Sequence, residues 1–288
     1  MSATMSGMTD VEADAGEGVE FNLTGSLAVA LLIGAALALT ARTGAVELLV
    51  AVAAVQALLA FAFVYGLAVP GRFGALVIAA LTAASADVLV SVWPHGHLGA
   101  LLAVFGLAVP VMFIHQLLRG AGRVRVEESL GAIALLVLAE VALPALLQLR
   151  HEFGTPTLGA HVVFGVVLVA VGALVAGDLI DLVVATPRFD ADVPRGLLAV
   201  AGSAVIGGAV GQLSLHHYAA FAGGRGAFAG ACLGALVALL AVAVAYLEYG
   251  SPLAEAGFAR RVRPALGVVV PLSILAPVAF LLCVAIRV

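Results

Sequence analysis

Asp178 and Asp181, three residues apart, stand near the end of a long apolar run and fall on one face of a helix. A carboxylate pair of this kind suits Mg²⁺, which takes oxygen ligands and accompanies phosphate substrates. The plainer account is that the helix ends near Gly177 and both acids are wet. Asp190 and Arg195 follow in the next loop and complete a candidate polar cluster. Three further ionisable residues, Asp87, Glu140 and His115, lie within or near the ends of other apolar runs, where charge is costly and an ionisable side chain is a functional candidate by default. For Asp87 and Glu140 a structural hydrogen bond or ion pair weighs as much as a proton or substrate role. His115, close to Arg119, reads better as an interfacial histidine with its hydrogen bonds satisfied. Arg119, Arg123 and Arg125, and later Arg260, Arg261 and Arg263, are placed to attract anionic headgroups at about 1 kcal/mol each, although membrane topology alone suffices to explain them. His216 and His217 are adjacent, point different ways on a helix, and make no metal site by themselves. Cys232 and Cys283 lie in apolar runs that disfavour thiolate chemistry and read as small buried hydrophobes.

The chain around these residues has 288 residues, 64% hydrophobic and 10% charged, with mean hydropathy +1.20. An ordinary soluble domain carries about 25% charged residues, and a water-soluble surface could not be covered with so few. Lipid tails remove that requirement, because they face apolar side chains directly. All 13 basic residues are arginine, so no chemistry that needs a lysine amine is open to the chain. A net charge of −4 without a clustered basic face gives no footprint for nucleic acid.

These features predict an all-α fold, a polytopic transmembrane helical bundle of about nine spans. Residues 1–20 carry five acids and no basic residue and are expected to be a disordered acidic tail. Residues 21–288 form the transmembrane domain, with runs long enough to cross about 30 Å of hydrocarbon at 22–41, 44–68, 73–93, 98–118, 129–149, 159–186, 196–214, 227–247 and 265–286. Sorting alternate loops puts nine arginines on one side and four on the other. By the bias of basic residues toward the cytoplasm, the N-terminus is then cytoplasmic. The composition looks bacterial, which makes the bacterial cell membrane the expected location. Gly207 and Gly211, with Gly226, Gly230 and Gly234, have the four-residue spacing that lets helix backbones approach in lipid. Pro110, Pro144, Pro271 and Pro277 fall within runs and should kink or break them.

The second half, about residues 160–288, resembles the phosphatidate cytidylyltransferase (CDP-diacylglycerol synthase) family. In that family the sixth span ends in an acidic Asp-x-Gly-Ala-Tyr type segment, and a Ser-Pro-x-Lys-Thr-x-Glu-Gly motif leads into a Gly-rich span. Here Ala176-Gly-Asp178-Leu-Ile-Asp181 stands in the first position, and Val193-Pro-Arg195-Gly196 followed by Ala201-Gly-Ser-Ala-Val-Ile-Gly-Gly stands in the second. The run after Arg260-Arg-Val-Arg263-Pro264 looks like the family's closing helix. The departures are that Arg195 stands where the family has Lys, and that the later Asp-rich and His-Gly-Gly elements have no counterpart at 245–266. The resemblance therefore implies the architecture without most of the catalytic residues, and only Asp178 carries over by position. The expectation is a catalytically degraded protein without a resident cofactor, serving as a lipid-binding or partner subunit in envelope or phospholipid metabolism. Its partners would be membrane lipids and other membrane proteins. An alternative is a small secondary transporter or proton-coupled permease in which Asp87, Glu140, Asp178 and Asp181 converge on one cavity. A third is an active lipid enzyme with rearranged ligands, using Asp178, Asp181 and Asp190 with Mg²⁺.

Overall fold

A computed structural model describes residues 3–94, 97–120, 125–153, 155–184, 187–190, 193–249 and 257–287. Among these residues the chain forms ten α-helices: α1 (Ala3–Thr43), α2 (Ala45–Gly66), α3 (Arg72–Val92), α4 (His97–Leu118), α5 (Val126–Ala142), α6 (Ala145–Glu152), α7 (Pro156–Val183), α8 (Leu197–Leu215), α9 (Arg225–Tyr249) and α10 (Phe258–Arg287). Helices α5 and α6 together make one span, so the described residues provide nine spans long and apolar enough to cross a membrane. The protein is an all-α, multi-pass membrane protein. In hydrocarbon each backbone polar group must be satisfied within its own segment, which the helix achieves and an open strand does not. The described sheet is limited to a short antiparallel hairpin, β1 (Arg188–Asp190) and β2 (Val193–Gly196), which places Arg188 opposite Gly196 and Asp190 opposite Val193.

Local signals account for the boundaries. Thr155 caps α7, its side-chain oxygen accepting from the Leu158 N–H at 3.3 Å, with Pro156 in the first turn where its missing donor costs nothing. Gly71 enters α3 in the left-handed region (φ 81°), a conformation glycine adopts without strain. Pro144 interrupts the fifth span, ending α5 at Ala142 and restarting the helix as α6. Pro110, Pro271 and Pro277 do not break their spans and lie inside continuous α4 and α10. At the other extreme, α1 extends back to Ala3, where the sequence predicts a disordered tail. The Val, Glu and Ala residues of that stretch are compatible with helix, and a span already nucleated propagates into them at one hydrogen bond per residue.

Helix α7 is central and packs on α1, α8 and α9, while α10 lies between α9, α2, α1 and α5. The most extensive contact is α8 on α9, and it is a backbone seam. A methyl added at Gly207 would stand 2.9 Å from the Gly234 Cα, one at Gly211 2.9 Å from the Gly230 Cα, and one at Gly230 would collide with the Gly207 carbonyl. The small residues four apart therefore do form the close approach their spacing suggests. Helix α4 is a peripheral span, packed on α3 and α5, with Leu102, Leu107 and Leu118 facing outward. Large apolar side chains facing out on nearly every span are the signature of a surface solvated by hydrocarbon.

Candidate functional site

The junctions α2–α3, α4–α5, α7–α8 and α9–α10 carry nine of the thirteen arginines and define an arginine-rich end of the bundle. Here the last turns of α7 present Asp178 and Asp181, and the β1–β2 hairpin folds back so that Arg195 lands on both. The Arg195 Nη1 donates to Asp178 Oδ1 and lies 3.4 Å from Asp181 Oδ2, while the Gly196 backbone N–H donates to Asp181 Oδ1 at 2.9 Å. Gly196 is needed at this point, because a methyl there would sit 2.9 Å from the Pro187 carbonyl and 3.3 Å from Asp181 Oδ1. All three side chains are enclosed, Asp178 completely. Burial works against the charge of Arg195, yet Asp178, Asp181 and the nearby Glu248 outweigh it and hold the guanidinium's proton more tightly than in an ordinary arginine. Glu248, in the last turn of α9, also feels Arg263 of α10. A Ser203 Oγ–H donating to the Ala173 carbonyl at 2.7 Å ties α8 to α7 just below.

Three acids and two arginines thus meet where α7, β2, α9 and α10 converge. The space left beside Gly177, Asp181, Arg195 and Ser203 is about 10 Å³, room for about one water. The Mg²⁺ that the family resemblance brings with it does not fit these residues: the guanidinium already sits on Asp178 Oδ1 and Asp181 Oδ2, and no group of three His, Cys, Asp or Glu side chains placed to hold a metal occurs among the described residues. Asp190, expected in the same cluster, lies exposed on β1 and is not among the charges acting on Arg195.

The other ionisable residues form a separate group. Asp87 on α3 and Glu140 on α5 are both buried and close enough for the charge of one to act on the other. Gln56 of α2 lies between them, its Nε2 donating to the Glu140 backbone carbonyl at 3.0 Å and its amide beside the Asp87 carboxyl. The four acids expected to converge on one cavity therefore divide into two pairs, because Asp178 and Asp181 are committed to Arg195. Gln56 escaped the sequence reading, although a lone amide inside the run Val-Ala-Val-Ala-Ala-Val-Gln-Ala-Leu-Leu-Ala was the available signal.

His115 is placed against Gly71 and Gly74 at the end of α4, with Arg119 nearby. Contrary to the satisfied histidine expected there, its buried Nε2 has no hydrogen-bond partner among the described residues. Arg119 turns inward, donating to Gln116 Oε1 at 2.8 Å and to Ser129 Oγ at 3.2 Å, and Ser129 in turn donates to the Pro70 carbonyl at 3.0 Å. Arg125 pairs with Glu128, and Arg263 faces Glu248. Of the arginines expected to meet headgroups, Arg260 and Arg261 are the exposed ones, and Arg123 lies outside the described residues. Arg150, which sequence assigns to a loop, is buried and donates to the Ala41 carbonyl, closing α6 onto α1. A mostly apolar cleft of about 370 Å³, with Glu128 at its rim, opens at the arginine-rich end between α2, α5 and α9, lined by Phe63, Leu67, Pro70, Leu135 and Tyr246 among others. Comparison with protein-family models, with curated proteins and with solved structures gives no match to this chain.

Proposed function

We propose that this protein is a lipid-binding or partner subunit of envelope or phospholipid metabolism, with a cytidylyltransferase-like arrangement of spans and no transferase chemistry of its own. The observation that carries the reading is the position of Arg195. Metal-assisted phosphoryl or nucleotidyl transfer needs carboxylates free to hold the cation that neutralises the phosphates. In this chain the guanidinium holds Asp178, and with Gly196 it holds Asp181. The mostly apolar cleft of about 370 Å³ at the same end is in the size range of small-ligand sites and suits part of an acyl chain, with exposed Arg260 and Arg261 at that end of the bundle to attract anionic headgroups. In this reading the arginine-rich end is cytoplasmic and the membrane is bacterial.

The test is made on the purified protein in lipid nanodiscs. Supplied with CTP, phosphatidate and Mg²⁺, it is expected to form no CDP-diacylglycerol, and native mass spectrometry after detergent exchange is expected to show retained anionic phospholipid. Metal-dependent turnover would overturn the non-catalytic assignment. Complete loss of lipid under conditions that keep the fold would overturn the lipid-binding one.

A further inference from the structure

We propose that Asp87, Glu140 and Gln56 form a proton-binding site inside the bilayer, in which the two acids hold at least one proton between them at neutral pH. The site is separate from the Asp178–Arg195 cluster and does not depend on the lipid-binding reading. Glu140 is fully buried, Gln56 is 2% exposed and Asp87 8%. Asp87 Oδ1, both Glu140 carboxyl oxygens and Gln56 Oε1 lack a hydrogen-bond partner among the described residues, and the donors of the Gln56 amide are used on the Glu140 backbone and the Asp87 carboxyl. The place is therefore rich in acceptors and short of donors. A proton on a carboxyl supplies the missing donor directly, as an O–H that one acid offers to the other or to Gln56 Oε1, and it removes the charge that would be costly at this depth.

Among the described residues, the helices packed on the pair bring no compensating cation to it. Helix α2 carries Glu47 in its first turn and Tyr65 in its last, and α4 carries His115 near its end. Helix α5 has Glu127 and Glu128 at its start. In α6, Arg150 is turned to the Ala41 carbonyl, with His151 and Glu152 at the helix end. Helix α10 has Arg260, Arg261 and Arg263 at one end, Arg287 at the other, and Cys283 buried between. Asp178 and Asp181 are matched by Arg195, while among the described residues Asp87 and Glu140 have only each other and an amide beside them.

The experiment is infrared spectroscopy of the full chain in liposomes, with carboxyl-¹³C Asp or Glu used to assign bands. The expected result at neutral pH is a carboxylic-acid C=O band that moves on H/D exchange and shifts with the label. Glu140→Gln or Asp87→Asn should reduce it by about one carboxyl, and Gln56→Leu should move its frequency. A wild-type spectrum showing only carboxylates would overturn the proposal, as would a band unchanged in the Asp87→Asn/Glu140→Gln double variant. A band present in choline chloride and abolished by NaCl would also overturn it, in favour of a cation site. The labelled wild type decides the question even if a variant fails to fold.

Discussion

At the arginine-rich end of the bundle, two buried carboxylates arrive with a guanidinium; in the interior of α3 and α5, two more arrive with an amide. The α7 terminus lies beside a loop, so the chain can fold a cation back over Asp178 and Asp181 within one short hairpin. Deep in the bundle no loop is within reach, and any cation would have to come from a facing span at a cost of its own. The same electrostatic problem is thus met by a counter-charge where backbone can turn and, in our proposal, by a proton where it cannot. The arrangement also separates two roles: a locked cluster supports the architecture, whereas a proton site can change state without moving a helix.

The contrast is tested hardest by Arg195→Ala. Removing one partner leaves Asp178 and Asp181 buried without compensation, and the expected loss is about 3–5 kcal/mol, read as lowered resistance to SDS unfolding in mixed micelles. A loss below about 1 kcal/mol, the level of an exposed pair, would mean that the pairing carries little of the stability. The raised proton affinity of Arg195 sets the pH window. Its contribution is complete throughout the neutral range and is lost only as strong alkali passes the folded-state value, so the wild-type unfolding midpoint should show no loss from this pair between neutral and mildly alkaline pH.

Arg195→Lys retains the charge but not the reach and planar geometry of the guanidinium whose Nη1 contacts both acids, and should cost about 1.5–3 kcal/mol, the range for hydrogen bonds to charged groups. Gly230→Val presses a side chain into the Gly207 carbonyl and should cost about 1–3 kcal/mol as overpacking. A spin label on the β1–β2 hairpin would show whether the disturbance reaches Arg195 through α8. The smallest effect belongs to the interior pair. Glu140→Gln keeps size and a donor at a position proposed to be uncharged, and should change stability by less than about 1 kcal/mol. A loss as large as that of Arg195→Ala would show that Glu140 is ionised and paired, and the contrast would be gone.

Much of the architecture is legible in the residues. Spans follow from the length of apolar runs because hydrocarbon leaves the backbone few other forms, and the break at Pro144 follows from its missing N–H. Why Pro144 interrupts its span while Pro271 and Pro277 do not is a matter of packing that the proline alone does not encode. The site is legible in part. Asp178, Asp181 and Arg195 are near in sequence, so a short loop suffices to bring them together, and Glu248 joins them from α9. Asp190 is equally near, but it lies on β1, which is exposed along its whole length. The pairing of Asp87 with Glu140 depends on the rotation of two separate spans about their axes, and hydropathy is blind to rotation when every face of a helix is apolar.

The seam between α8 and α9 has a mechanical consequence. Two helices whose main chains touch at Gly207, Gly211, Gly230 and Gly234 have no side-chain layer to shear, so neither can roll without lifting off the other. The residue that leads into the first of the two helices is Gly196, with Arg195 immediately before it. The clasp between Arg195 and its two acids therefore ties the entry of the paired helices to the end of α7.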